Sequence, residues 1–136
     1  MTLRIAIGAD FSAYHLKTAI LDELGGNELV QDVYDVGVNG PEDTSNDHAE
    51  VAVEVARRVA SGEADRGLAF CGNGLGVAIA ANRVDGVAAV TAHDLFSVRT
   101  SITGNRAQVL CMGAKVIGGE LAKELVREWL KVEMPV

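Results

Sequence analysis

Residues 61–90 read SGEADRGLAFCGNGLGVAIAANRVDGVAAV. GLAFC (67–71) is a continuous apolar run, the pattern of a central strand buried on both faces. Gly72-Asn73-Gly74-Leu75-Gly76 is a glycine loop, and the small-residue run GVAIAANR after it reads as a short helix. GVAAVT (86–91) is apolar again and reads as another buried strand. Strand, loop, helix and strand in succession are the signature of a parallel sheet with helical crossovers.

The alternation continues outward. LRIAIG (3–8) is a β-branched apolar run ending at Gly8-Ala9-Asp10, a first strand. Residues 13–24 place Leu16, Ala19, Ile20, Leu21 and Leu24 near helical spacing, with Ser12 as cap and Gly25-Gly26-Asn27 as stop. Residues 29–37 read as a strand and 38–46 as a loop. A helix over 47–61 is capped by Asp47, with Ala49, Ala52, Val53, Ala56 and Val59 as its buried stripe. AQVLCMG (107–113) is a further buried strand, and 94–103 and 118–131 are helices. Five strands interleaved with five helices predict an α/β fold, one domain over 1–136, its parallel sheet covered on both faces. Ligands of such folds sit at the carboxyl ends of the strands, which selects Asp10, Cys71 with its loop, and Thr91 to Asp94.

Composition narrows the function. Of 136 residues 49% are hydrophobic and only 4% aromatic, which suits tightly packed helix-on-sheet layers. A net charge of −7 with no basic cluster disfavours nucleic acid. No run approaches the roughly 18 apolar residues of a membrane span. The N-terminal MTLRIAIGAD reads as a strand and not a signal peptide, so a cytoplasmic location is expected. Two cysteines, Cys71 and Cys111, make no disulfide framework. His15, His48 and His93 lack the close pairing of a zinc motif, and no metal or other cofactor is expected.

The glycine loop has two readings. As a nucleotide loop it is a loose match: it follows the third strand, and Ala88, Ala89 and Val90 stand where the ribose-binding acid would end the next strand. As an anion nest it fits better, because glycines let several backbone N–H groups converge and the helix start near Leu75 adds partial positive charge. Cys71 beside such a nest is favoured as a thiolate. A base next to amide donors is what proton abstraction α to a carbonyl requires. The competing reading of Cys71 is a small buried hydrophobe at a strand end. Cys111, inside a strand, reads as that.

SGEADRGLAFCGNGLGVAIAANR resembles the motif S-G-E-A-D-R-G-I-x-x-C-G-T-G-x-G-x-x-I-A-A-N-K of the ribose-5-phosphate isomerase type B and galactose-6-phosphate isomerase family. Similarity extends from Leu3 to about Trp129, and VTAHDLFSV with NRAQVL is more similar to the branch of D-erythrulose-4-phosphate isomerases. The resemblance implies a three-layer αβα, Rossmann-like domain. It implies a homodimer or dimer of dimers with active sites at the subunit interface, and metal-free aldose–ketose isomerisation of a small sugar phosphate through a cis-enediolate. Cys71 matches the family's base, Gly72, Asn73, Gly74, Leu75 and Gly76 its enediolate loop, and Asp10 its hydroxyl-binding acid. Asn105 matches the asparagine contributed by the partner subunit.

The departures are chemical. Phe11 replaces a phosphate-binding histidine, Gly104 a ring-opening histidine, Asn73 a threonine, and His48 a substrate-facing tyrosine. The chain ends at Val136 where ribose-type members continue into an arginine-rich tail. A tetrose phosphorylated on its terminal oxygen cannot close a furanose ring, so Gly104 suits a four-carbon phosphate, with ribose 5-phosphate as second choice. Arg99 and Arg106 are candidate replacements for the lost phosphate ligands, against the bland reading of solvated surface charges. His48 could move a proton between oxygens. His93 fits the cleft or only caps the next helix. The same departures also suit a non-catalytic or partner-dependent subunit, or an isomerase of unphosphorylated sugars.

Overall fold

The computed structural model describes residues 2–136, so Met1 of the N-terminal run lies outside the described residues. Strand β1 (Leu3–Ala9) leads through a 3₁₀ turn (Phe11–Ala13) into α1 (Tyr14–Gly25). There follow β2 (Val30–Gly37), α2 (His48–Ala60), β3 (Arg66–Cys71), α3 (Leu75–Ala81), β4 (Ala89–Thr91), α4 (Leu95–Thr103), β5 (Val109–Gly113) and α5 (Gly119–Lys131). The five strands form one sheet in the order β2-β1-β3-β5-β4, every neighbouring pair parallel. This is the α/β architecture expected from the strand–helix alternation.

Side-chain size differs across the sheet. Ile5, Ile7, Leu68, Phe70, Leu110 and Met112 face α1, α4 and α5, whose Ile20, Ile102 and Trp129 complete a bulky core layer. The alternate positions, Ala6, Ala69, Cys71, Val109 and Cys111, face α2 and α3 and are small. Glycines thin that side further. A β-carbon at Gly67 would lie 2.6 Å from Val55 Cγ1, and one at Gly8 would collide with Val51. Helix α2 therefore beds directly on the strands, and its first residue, His48, comes over their carboxyl ends.

The chain leaves β1 for β2 on one side and returns past it to β3 on the other. The crevice between the ends of β1 and β3 is thus a topological switch point, where α/β sheets place ligands. Asp10 follows β1 and Cys71 ends β3.

Four expectations are corrected. Asp10, not Ser12, caps the first turn, its carboxylate accepting from the Ser12 N–H; Ser12 is the donor. The buried stripe of α2 is Val51, Ala52, Val55, Ala56 and Val59, with Ala49 and Val53 only half-buried, because Val51 and Val55 fill the glycine sockets of the sheet. Strand β4 has three residues on the sheet edge instead of a buried 86–91 run, since β5 takes the inner place. The residue capping α4 is Asp94, which accepts from the Ser97 N–H at 2.9 Å, and not His93.

Candidate active site

Cys71 is the last residue of β3 and is buried. The Gly74 N–H donates to its sulfur at 3.3 Å, and Asn73 Oδ1 lies 3.9 Å from it. The same Oδ1 accepts the Leu75 N–H at 3.0 Å, which fixes the Asn73 side chain beside the thiol. Gly74 has φ +81, and a β-carbon there would lie 2.9 Å from Thr91 Cγ2 and from the Met112 carbonyl carbon, so only glycine fits.

The loop is strapped from behind through its carbonyls. Thr91 Oγ1 donates to the Gly74 carbonyl at 2.6 Å. Beyond β5, the Ala114 and Lys115 N–H groups donate to the carbonyls of Cys71 and Gly72, each at 2.9 Å. Carbonyls turned inward leave N–H groups outward: those of Gly72 and Asn73 have no partner among the described residues. The arrangement pairs a sulfur with free amide donors.

Asp10, His48, Cys71, Gly72, Asn73, Leu75, Gly76 and Lys115 line one cleft of about 420 Å³. That size suits a small metabolite. Asp10 Oδ1 is held by the Ser12 N–H at 3.1 Å and the Ser12 hydroxyl at 2.6 Å, while Oδ2 has no partner among the described residues. His48 enters from the start of α2, which Asp47 caps by accepting the Glu50 N–H at 2.8 Å. Its ring lies against Gly76, where a β-carbon would be 2.7 Å from Nε2.

Lys115 was missed by the sequence reading. Its stem crosses Gly72, with Cδ 3.8 Å from where a β-carbon would stand, and it has no ion pair among the described residues. The signal was present: the carboxyl-end rule that picked the ends of β1, β3 and β4 applies equally to β5, which ends at Gly113.

Gly74 sits behind the lining, and five candidates outside the loop do not line this cleft either. Phe11 is exposed beside Asp10. Arg99 pairs with Glu128 of α5 at 3.4 Å. Asn105 lies exposed after α4 and donates to the Thr100 carbonyl at 3.4 Å. Arg106, at φ +52, reaches the Pro135 carbonyl. His93 lies behind the loop: its Nε2 accepts the Gly113 N–H at 2.9 Å. Burial pushes its pKa below the usual histidine value, with Asp94 opposing. Cys111 is fully enclosed, and burial pushes its thiol far up. No group of three or more His, Cys, Asp or Glu side chains is placed to hold a metal among the described residues. No helix there is long and apolar enough to cross a membrane.

The model of the family described as Ribose/Galactose Isomerase matches residues 5–135. The chain belongs to the ribose/galactose isomerase family. It is 53% identical over 133 residues to D-erythrulose-4-phosphate isomerase 2 of Mycolicibacterium smegmatis, covering 98% of this chain and 87% of that one. It is 39% identical over 127 residues to ribose-5-phosphate isomerase B of Escherichia coli, covering 93% of this chain and 83% of that one. Among solved structures, ribose-5-phosphate isomerase B of Clostridium thermocellum superposes with a TM-score of 0.90 at 40% identity, covering 96% of this chain and 86% of that one. This ribose/galactose isomerase family member is an enzyme.

Proposed function

We propose that the protein interconverts an aldose and a ketose of a short-chain sugar phosphate through a cis-enediolate, with Cys71 as the base. The observation that carries this reading is the sharing of one cleft by Cys71, the free N–H groups of Gly72 and Asn73, and Lys115, whose stem crosses Gly72. The thiolate takes the proton from the carbon beside the carbonyl. The electron pair moves onto the carbonyl oxygen, where the loop amides meet the developing charge. The thiol then returns the proton to the neighbouring carbon. His48 carries the proton between the two oxygens, and Asp10 and Asn73 orient hydroxyls. A positioned base contributes about 10²–10⁴-fold, and each amide donor about 10²–10³-fold by analogy with oxyanion holes.

A four-carbon ketose phosphate, D-erythrulose 4-phosphate, is the preferred substrate. Gly104 supplies no acid or base to open a sugar ring, and an open-chain tetrose phosphate needs none. Lys115 offers the cleft a cation for the phosphate, a part for which Phe11 is unsuited. The reaction runs in the cytoplasm, where reducing conditions keep Cys71 a thiol.

The active unit is a homodimer, or a dimer of such dimers. Leu75 and Ile79 on α3 and Phe96 on α4 are 54%, 61% and 77% exposed, an apolar burden suited to a second copy. Asn105, with Arg99 and Arg106 near it, is then supplied to the cleft of the partner. The test is turnover of erythrulose 4-phosphate and ribulose 5-phosphate by the purified protein. Conversion of the tetrulose phosphate, lost in Cys71→Ala, is expected. Asn105 lying outside the cleft of its own chain also favours a second reading, a subunit that needs a different partner; turnover by the protein alone would overturn it.

A further inference from the structure

We propose that His93 is a positioning residue for this reaction: by accepting the Gly113 N–H through Nε2, it holds the strand end on which the enediolate loop rests. The inference depends on the reading of that loop given above.

The hydrogen bond fills a gap in the sheet. Strand β4 pairs with β5 only as far as Thr91 opposite Cys111, and the Ala92 N–H takes the Cys111 carbonyl. Gly113, two residues further along β5, therefore has no carbonyl of β4 beside it, and the imidazole of His93 supplies the acceptor at 2.9 Å. Gly113 is the support of the loop. A β-carbon on it would collide with the Asn73 backbone and lie 2.7 Å from the Gly72 carbonyl oxygen. Its own carbonyl accepts the Val116 and Ile117 N–H groups, each at 3.0 Å. That closes the turn whose Ala114 and Lys115 amides strap Cys71 and Gly72. One nitrogen lone pair thus anchors both the amide donors and the segment carrying Lys115.

The bond fixes the ring's state. An Nε2 that accepts carries no hydrogen, so the ring is neutral with its proton on Nδ1. Protonation would set an N–H against an N–H and release Gly113. Burial favours the neutral ring, Asp94 at the cap of α4 favours the charged one. On α5, Glu124, Arg127 and Glu128 line a pocket of about 550 Å³ together with His93 and Asp94. The two glutamates favour protonation and the arginine opposes it. The loop is therefore expected to loosen in acid, below the ordinary histidine range of about 6.5.

The test combines NMR with two variants. At neutral pH a through-hydrogen-bond ¹⁵N–¹⁵N coupling between Gly113 N and His93 Nε2 is expected. It should vanish as the His93 ring titrates, with the Gly72 and Asn73 amide shifts following the same midpoint. In kinetics, His93→Gln keeps an acceptor oxygen and should retain kcat within about threefold, whereas His93→Leu should lose about tenfold or more in kcat with little change in KM. Absence of the coupling, loop amides indifferent to His93 protonation, or wild-type kcat in His93→Leu would each overturn the proposal. Should His93→Leu fail to fold, the coupling and the glutamine variant still decide it. If the wild-type protein turned over no sugar phosphate, the isomerase reading would fall while the NMR arm still judged the role of His93.

Discussion

His48 rests directly on Gly76: a β-carbon built on Gly76 would lie 2.7 Å from both Cδ2 and Nε2 of the imidazole. The two residues come from different helices, α2 and α3, and the contact exists because α2 beds on glycines of the sheet. Gly76→Ala should therefore separate activity from stability. The displaced atoms are the end of an exposed side chain, which can swing away, and alanine favours the helix by about 0.5–1 kcal/mol. An unchanged or higher melting temperature is expected, with kcat down about tenfold or more if His48 carries the proton as proposed. Thermal denaturation and steady-state kinetics on one preparation check both.

Gly113→Ala should behave oppositely. The added carbon meets backbone of Asn73 and Gly72, which cannot swing aside. Overpacking of this kind costs about 1–3 kcal/mol, and the loop must shift to relieve it. A lower urea midpoint together with loss of turnover is expected.

Lys115 is tested by charge. Lys115→Met should raise KM for a phosphorylated substrate about tenfold or more with kcat little changed, since it removes attraction present throughout the reaction. Lys115→Arg should restore much of it. Competitive inhibition by a phosphorylated hydroxamate should weaken in parallel in the methionine variant. An unaltered KM would place the phosphate elsewhere.

Acid stability depends partly on Asp65. Its hydrogen bond from the Arg4 guanidinium, at 2.9 Å, holds the carboxyl below its usual value. The folded pKa is thus below the unfolded one, about 3.9. The pair contributes fully above that pH and its contribution is lost as pH falls through the lowered folded value. Asp65→Asn should lower the urea midpoint near neutrality and flatten its decline below about pH 4.

Much of this fold was legible because strands and helices announce themselves locally. The runs around Ile5, Leu68 and Leu110 have strand length and composition, and the helix carrying Trp129 has a clear apolar stripe. The stripe of α2 was misread because alanines and valines populate two adjacent faces; only the sockets at Gly8 and Gly67 choose Val51 and Val55. Cys71, Asp10 and the glycine loop were legible as strand ends. The contact of His48 with Gly76 and the bond from Gly113 to His93 join distant segments, and no local pattern encodes them.

The most direct test of the mechanism is proton exchange in heavy water. The protein is incubated with erythrulose 4-phosphate and deuterium at the carbon beside the carbonyl is followed by NMR, with Cys71→Ala alongside. Enzyme-dependent incorporation, reduced about 10²–10⁴-fold in the variant, is predicted for a base acting through an enediolate. Incorporation that persists at the wild-type rate without the thiol would contradict it.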